Sequence, residues 1–226
     1  MNEIVGTHNI LMVTLDTLRY DVAQQLLSDG KTPHIAAFTG RPWEERHTPG
    51  SFTLAAHHAF FAGFLPTPAR PHLGSTSREE RLFAARFAGS ETTGSGTFVF
   101  DEADMVSGLR ATGYHTACIG GVGFFSKQNA LSHVFTDLFD ESHWEPKLGV
   151  THPHSTEHQF RLAANVLQHA PEEKPAFLFI NISAMHQPNY FYACGDRGED
   201  TLESHGAALQ YVDSKWPLLC DALALT

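Results

Sequence analysis

The sequence is short of cations and has no cluster of them. Lysine and arginine number 15 against 25 aspartates and glutamates, a formal net charge of −10 over 226 residues. Phosphate backbones are held by clustered Lys and Arg, so nucleic acid is excluded as an expected partner. Long apolar runs are missing as well: no stretch approaches the ~20 residues that a membrane-spanning helix needs, and no membrane partner is expected. The opening residues, MNEIVGTHNI, show no basic segment followed by an apolar one, so no secretion leader is read there. Cysteine is scarce. Cys118, Cys194 and Cys220 are odd in number, far apart and without a C-x-x-C pair. That excludes a disulfide framework or a zinc ribbon and points to reduced thiols in a cytoplasmic protein.

Apolar residues are plentiful at 42%, with 18% charged, which suits a globular chain with a sizeable core. No internal repeat and no clean boundary divides it, so residues 1–226 are read as a single domain. Histidine (15) and phenylalanine (17) are both frequent. The histidines invite a metal reading, but most stand beside Pro or Ser in loops and are read as surface groups.

Along the chain, residues 9–15 (NILMVTL) form an apolar run of the length and flanks of a buried parallel strand, ending at Asp16. Asp21 is placed to cap a helix through about Leu27, stopped by Ser28-Asp29-Gly30. Residues 40–52 read as loop. Thr53 to Ala62 reads as a helix ended by Gly63. Residues 64–80 are Pro-rich and irregular, and Ser90 to Gly96 form a Gly/Ser/Thr turn. A helix starts at Asp101 or Asp104 and reaches Ala111, with Gly113 closing it. His115–Ile119 is a second short strand, 120–155 is loop-rich, and Thr156–His169 is helical before Pro171. AFLFINI at 176–182 is the clearest strand, and Leu202–Leu223 a last helix. This alternation predicts an α/β fold, a mainly parallel sheet sandwiched between helices.

Ligands of such sheets bind at the carboxyl ends of the strands. Asp16, Gly120-Gly121 and Ser183 to His186 each follow a strand, and are expected to cluster. Asp16 has two readings: a ligand for a hard or borderline cation, or a cap or partner for Arg19. Thr53 stands where a helix start favours an anion and where a hydroxyl can be activated as a nucleophile; a plain N-cap is the simpler reading. His57, one turn later, shares its face and is placed to touch a bound anion. His58 points elsewhere. His186 reads either as a substrate-binding or acid group, or as a loop histidine bonded to backbone. His152, His154, Glu157 and His158 have no recognised metal spacing and are read as surface.

Taken together, these segments resemble the sulfatase-like hydrolases of the alkaline phosphatase superfamily. ILMVTLDTLRYDV is similar to that family's opening strand with its I-D-T-L-R-x-D pattern. HTPGSFTLAAHHAFFAGFLPT is similar to its T-x-P-S-H-A-S-x-x-T-G-x-x-P nucleophile helix. GYHTACIGGVGFF, FLFINISAMHQPNY and HGAALQYVDSKWPLLCDAL resemble further segments in the same order, individually weak. The resemblance implies an alkaline phosphatase-like core and a metal-dependent hydrolase of small phosphate or sulfate esters. Asp16 would bind a divalent ion (Zn, Mn or similar), Thr53 would be nucleophile and ligand, and His57 and His186 would bind substrate. Departures accompany it: C-x-P-x-R is missing, Ala55 replaces a Pro, Gly121 and Gly123 replace Lys and His, and Ser183 stands near a usual Asp. The S-D-H-G segment that supplies two more ligands is not found before Thr226, so the chain is expected to be C-terminally incomplete. Rival readings are a non-catalytic anion- or partner-binding protein on the same fold and a phosphoryl-group transferase.

Overall fold

The computed structural model describes residues 3–48, 50–63, 83–84, 98–99, 104–193 and 198–224. Strand β1 is Ile10–Leu15. Helix α1 (Tyr20–Ser28) follows, then α2 (Pro33–Thr39), with Pro at its first turn where no N–H is needed. Helix α3 spans Thr53–Ala62 and stops at Gly63, whose φ of 79° favours glycine. A two-residue parallel pair, β2 (Phe83–Ala84) and β3 (Phe98–Val99), precedes α4 (Met105–Ala111), capped by the Asp104 carboxylate on Ser107 N–H. Then come β4 (His115–Ile119), α5 (Ala130–His133), β5 (Glu141–His143), α6 (Ser155–His169), β6 (Ala176–Ile182) and α7 (Leu202–Leu223).

Four of these strands make one all-parallel sheet in the order β1-β6-β4-β5, flanked by helices as expected. β6 lies inside it, with all seven residues buried. Parallel strands read as continuous apolar runs for this reason. Side chains alternate across the sheet. Leu178, Ile180 and Ile182 join an aliphatic core with Phe160 and Val166 of α6 and Leu209 and Trp216 of α7. Phe177 and Phe179 face the other way, into an aromatic core with Phe61 of α3, Phe125, Phe135 and Phe139. Asp213 of α7 is 3% exposed, and its Oδ1 accepts the Ile35 N–H of α2 at 2.8 Å. A buried carboxylate at a helix start is satisfied by the end's free donors and positive pole.

Several expectations need correction. β1 was expected to be a buried strand, yet all its residues are only partly buried. Among the described residues it lies at the end of the sheet order, paired to β6 alone. Asp21 does not cap α1. It sits in the first turn, and its two oxygens accept from Arg19 Nε and a terminal nitrogen at 3.0 and 2.7 Å, on the exposed surface. α2 and the three-residue β5 are additional elements, both too short to show a period. The stretches 64–80 and Ser90 to Gly96 lie outside the described residues.

Candidate active site

The expected clustering of strand ends is present for Asp16, Gly121 and Ser183, but His186 lies apart from it. Asp16 N–H donates to Ile182 O at 3.1 Å, which extends the β1–β6 ladder one residue past Leu15. Gly121 makes the close approach between β4 and β6. A Cβ there would lie 2.2 Å from Asn181 O and 2.8 Å from the Ser183 Cβ, so only glycine fits. That contact brings Val122 N–H onto Asn181 Oδ1 at 3.2 Å. Gly120, where a Cβ would lie 2.2 Å from the Phe125 Cβ, and Gly121 therefore act by packing, as does Ser183, which is buried and donates to Leu148 O.

Asp16 is 6% exposed. Its carboxylate accepts the Thr53 hydroxyl, at 3.3 Å to Oδ1 and 3.2 Å to Oδ2, and Asn181 Nδ2 at 3.0 Å to Oδ2. Arg19, the alternative partner, is engaged by Asp21 instead. Among the described residues no Lys or Arg pairs with Asp16. Thr17 follows at φ 62°, a left-handed conformation costly for a β-branched residue. Its Oγ1 donates to Met185 O at 2.9 Å, tying the turn after β1 to the loop after β6.

Thr53 is the first residue of α3, not its cap. Phe52 is at the cap position and offers no side-chain acceptor. The first-turn N–H groups thus have no side-chain cap from that position. The cleft, about 390 Å³, is lined by Asp16, Thr17, Thr48, Phe52, Thr53, His57 and Phe60 among others. Gly50 lets the preceding loop lie on the helix start: a Cβ there would come 2.5 Å from the Ala55 Cβ. A larger cavity of about 890 Å³, lined by His8, Asn9, Gln168 and Lys174, lies at the amino ends of β1 and β6. The smaller one is at the carboxyl ends, where α/β sheets bind ligands.

His57 is 3% exposed and sits among the rings of Phe60, Phe125 and Phe179 at centroid distances of 5.2, 5.4 and 5.7 Å. Its Nδ1 faces Thr53 O at 2.8 Å and its Nε2 faces Thr14 Oγ1 at 3.3 Å. Burial holds its pKa below the ordinary value, against the opposing pulls of the Thr53 carbonyl and the Asp16 charge. His58 is buried too, with its pKa also lowered by burial.

The structure thus brings Asp16, Thr53 and His57 together. His186 lies one residue past Met185, half-buried and outside the lining of the cleft, with Nδ1 donating to Gln187 O at 2.7 Å. His152, His154 and His158 group their rings at 5.0 to 5.9 Å near the start of α6. Among the described residues no group of three or more His, Cys, Asp or Glu could hold a metal ion. Asp16 and Thr53 fit a share of a divalent-cation site: two oxygen donors, one of them a buried carboxylate with no cationic side chain paired to it. Asn181 and Thr14 complete the site and were missed at sequence level. Their signal is the period of two: Ile10, Met12, Thr14 and Asp16 share one face of β1, as Phe177, Phe179 and Asn181 share one face of β6. In both strands that face turns polar at its carboxyl end.

The chain is similar to a solved structure of a protein in the alkaline phosphatase superfamily from Vibrio parahaemolyticus. The match has a TM-score of 0.57 and 18% identity, and covers 95% of this chain and 50% of that one. The fold is therefore alkaline phosphatase-like, and this chain spans about half the length of the solved structure. No protein-family model and no curated protein matches it. No helix among the described residues is long and apolar enough to cross a membrane.

Proposed function

We propose that the cleft is the nucleophile half of a metal-dependent hydrolase of small phosphate or sulfate esters. The observation that carries this reading is the Thr53 hydroxyl resting on both oxygens of the buried Asp16 carboxylate, at 3.2 and 3.3 Å, where a strand ends and a helix begins. Thr53 Oγ is the attacking atom, and its hydroxyl donates to the Asp16 carboxylate before attack. The uncapped first turn of α3 directs N–H groups at the oxygens of the group transferred. His186 lies outside the lining of the cleft with Nδ1 on Gln187 O, so a substrate-binding part for it rests on the family resemblance alone. Asp16 and Thr53 would hold a divalent ion such as Zn or Mn, which when bound lowers the pKa of the attacking hydroxyl and offsets charge on the transferred group.

The test is turnover of p-nitrophenyl phosphate, a phosphodiester and a sulfate ester by the 226-residue chain, with Mn or Zn added and metal content measured alongside. Turnover that disappears in Thr53→Ala supports the reading. Retained turnover in that variant removes Thr53 from the role. No turnover of any ester by the parent chain sinks the hydrolase reading for this chain and favours the anion-binding alternative.

A further inference from the structure

The side chains around Asp16 form a closed circuit. Thr53 Oγ1 donates to Asp16, Asn181 Nδ2 donates to Asp16 Oδ2 at 3.0 Å, and the same Nδ2 reaches Thr14 Oγ1 at 3.1 Å. Thr14 Oγ1 meets His57 Nε2 at 3.3 Å, and His57 Nδ1 meets Thr53 O at 2.8 Å, back at the starting residue. Five side chains from β1, β6 and α3 are involved, and Asn181 is fully buried.

The direction of every hydrogen follows from fixed groups. Val122 N–H can only donate, so the Asn181 atom it meets at 3.2 Å is the oxygen, and Nδ2 faces Asp16 and Thr14. The two hydrogens of Nδ2 serve those two acceptors. A carbonyl can only accept, so the His57 nitrogen on Thr53 O carries the hydrogen. A neutral imidazole then has Nε2 as acceptor, and the Thr14 hydroxyl, already accepting from Asn181, donates to it. One pattern satisfies all the groups. Reversing any one member leaves two donors or two acceptors face to face in a buried site.

We propose that Asn181 and Thr14 are positioning residues that aim the Asp16 carboxylate at the Thr53 hydroxyl, and that His57 closes the circuit as a fixed Nδ1–H tautomer instead of contacting substrate. This rests on the hydrolase reading of Asp16 and Thr53 given above. It assigns His57 a task different from binding an anion, and it explains why an imidazole is enclosed by phenylalanine rings: they bar water from competing for either nitrogen.

Two measurements on the 226-residue chain test it. The first is the histidine ring 15N spectrum at neutral pH, with the His57 signals assigned through His57→Gln. The Nδ1–H tautomer is expected in the parent and in Thr14→Ser. It is expected to persist in Thr14→Val, which is the same shape without the hydroxyl, because Thr53 O still requires it, but the unprotonated Nε2 signal should move to that of an acceptor with no donor. An Nε2–H tautomer in the parent, or an Nε2 signal unmoved in Thr14→Val, overturns the circuit.

The second is turnover of p-nitrophenyl phosphate. Residues that orient a ligating or reacting group cost roughly 10–100-fold when removed. Asn181→Leu and Thr14→Val are expected to lose kcat in that range with KM little moved, while Thr14→Ser, which keeps the hydroxyl, restores most of it. If Val serves as well as Thr and Ser does worse, position 14 only fills space and the proposal fails. Circular dichroism checks that each variant is folded. No turnover by the parent would sink the hydrolase reading separately, and the tautomer would still decide the circuit.

Discussion

The two faces of the sheet are built to different rules. On the α6/α7 face, β6 contributes Leu178, Ile180 and Ile182, and β1 contributes Leu11, Val13 and Leu15. That face stays apolar to the last residue of both strands. On the α3 face the same strands contribute Phe177, Phe179, Ile10 and Met12, and then turn polar at Asn181, Thr14 and Asp16. Aliphatic packing is tolerant of hydrogen-bond direction because it has none. The α3 face surrounds a hydrogen-bonded group with flat rings that leave one arrangement for each polar atom. Strand alternation alone thus separates a face that is apolar throughout from one that ends in polar groups, with Thr14 laid directly against Asn181 in register.

The sharpest way to break that division is to compare substitutions across it. Thr53→Ala removes one hydroxyl from the α3 side and is expected to lower turnover on the order of 10³-fold or more, about 4 kcal/mol in the barrier, with the unfolding midpoint little changed. Asp16→Asn is expected to do the same and to weaken Mn binding. Ile180→Ala, one residue from Asn181 but on the opposite face, is expected to cost about 2–5 kcal/mol of stability and to leave turnover per folded molecule unaltered. Denaturant unfolding and initial rates on the same samples separate the two effects. An equal loss of turnover from both faces would mean that the segregation is not functional.

Much of this frame was legible in the sequence. The runs at His115–Ile119, Ala176–Ile182 and Leu202–Leu223 match the structure end to end, because a buried run bounded by Gly or Pro and a long capped helix both carry strong local signals. Asp16 and Thr53 were readable because each stands at an element boundary. Asn181 was not, since one polar residue inside an otherwise apolar strand gives no local cue until β1 is laid beside it in register, Thr14 against Asn181. The setting of His57 was hidden for a similar reason. Its spacing from Thr53 put it on the right helical face, but the rings around it come from Phe125, Phe135 and Phe179, distant in sequence. Short pieces such as β5 and α2 owe their form to tertiary pairing, including the Asp213 carboxylate that holds Ile35 N–H.

A smaller effect follows from the histidines of the aromatic side. His57 and His58 both have pKa values lowered by burial. A histidine whose pKa is lower in the fold than its value of about 6.5 in the unfolded chain takes up a proton on unfolding. Its contribution is whole above about pH 6.5 and is lost as the pH falls below that, until the folded group itself protonates. Each such group steepens the fall by at most about 1.4 kcal/mol per pH unit. Urea unfolding of the parent between pH 7.5 and about pH 5 should show the decline, and His58→Phe should flatten it. An unchanged slope in His58→Phe would mean that this imidazole protonates as easily in the fold as outside it.

The smallest expected effect concerns the mouth of the cleft, where the aromatic side meets solvent. Phe52 is 53% exposed, next to the proposed nucleophile, with its ring 6.1 Å from that of Phe124 and on the lining of the cleft with Phe60. An exposed ring adds nothing to the core, so its removal should leave stability within about 0.5 kcal/mol of the parent. A ring beside the reacting atom can instead cover an apolar leaving group, worth about 1 kcal/mol for an aromatic pair. Phe52→Ala should therefore raise KM for p-nitrophenyl phosphate by roughly fivefold while leaving a small alkyl phosphate unaffected. Equal losses on both esters would mean that Phe52 supports the start of α3, and the aromatic face would then end at Thr53 instead of reaching the substrate.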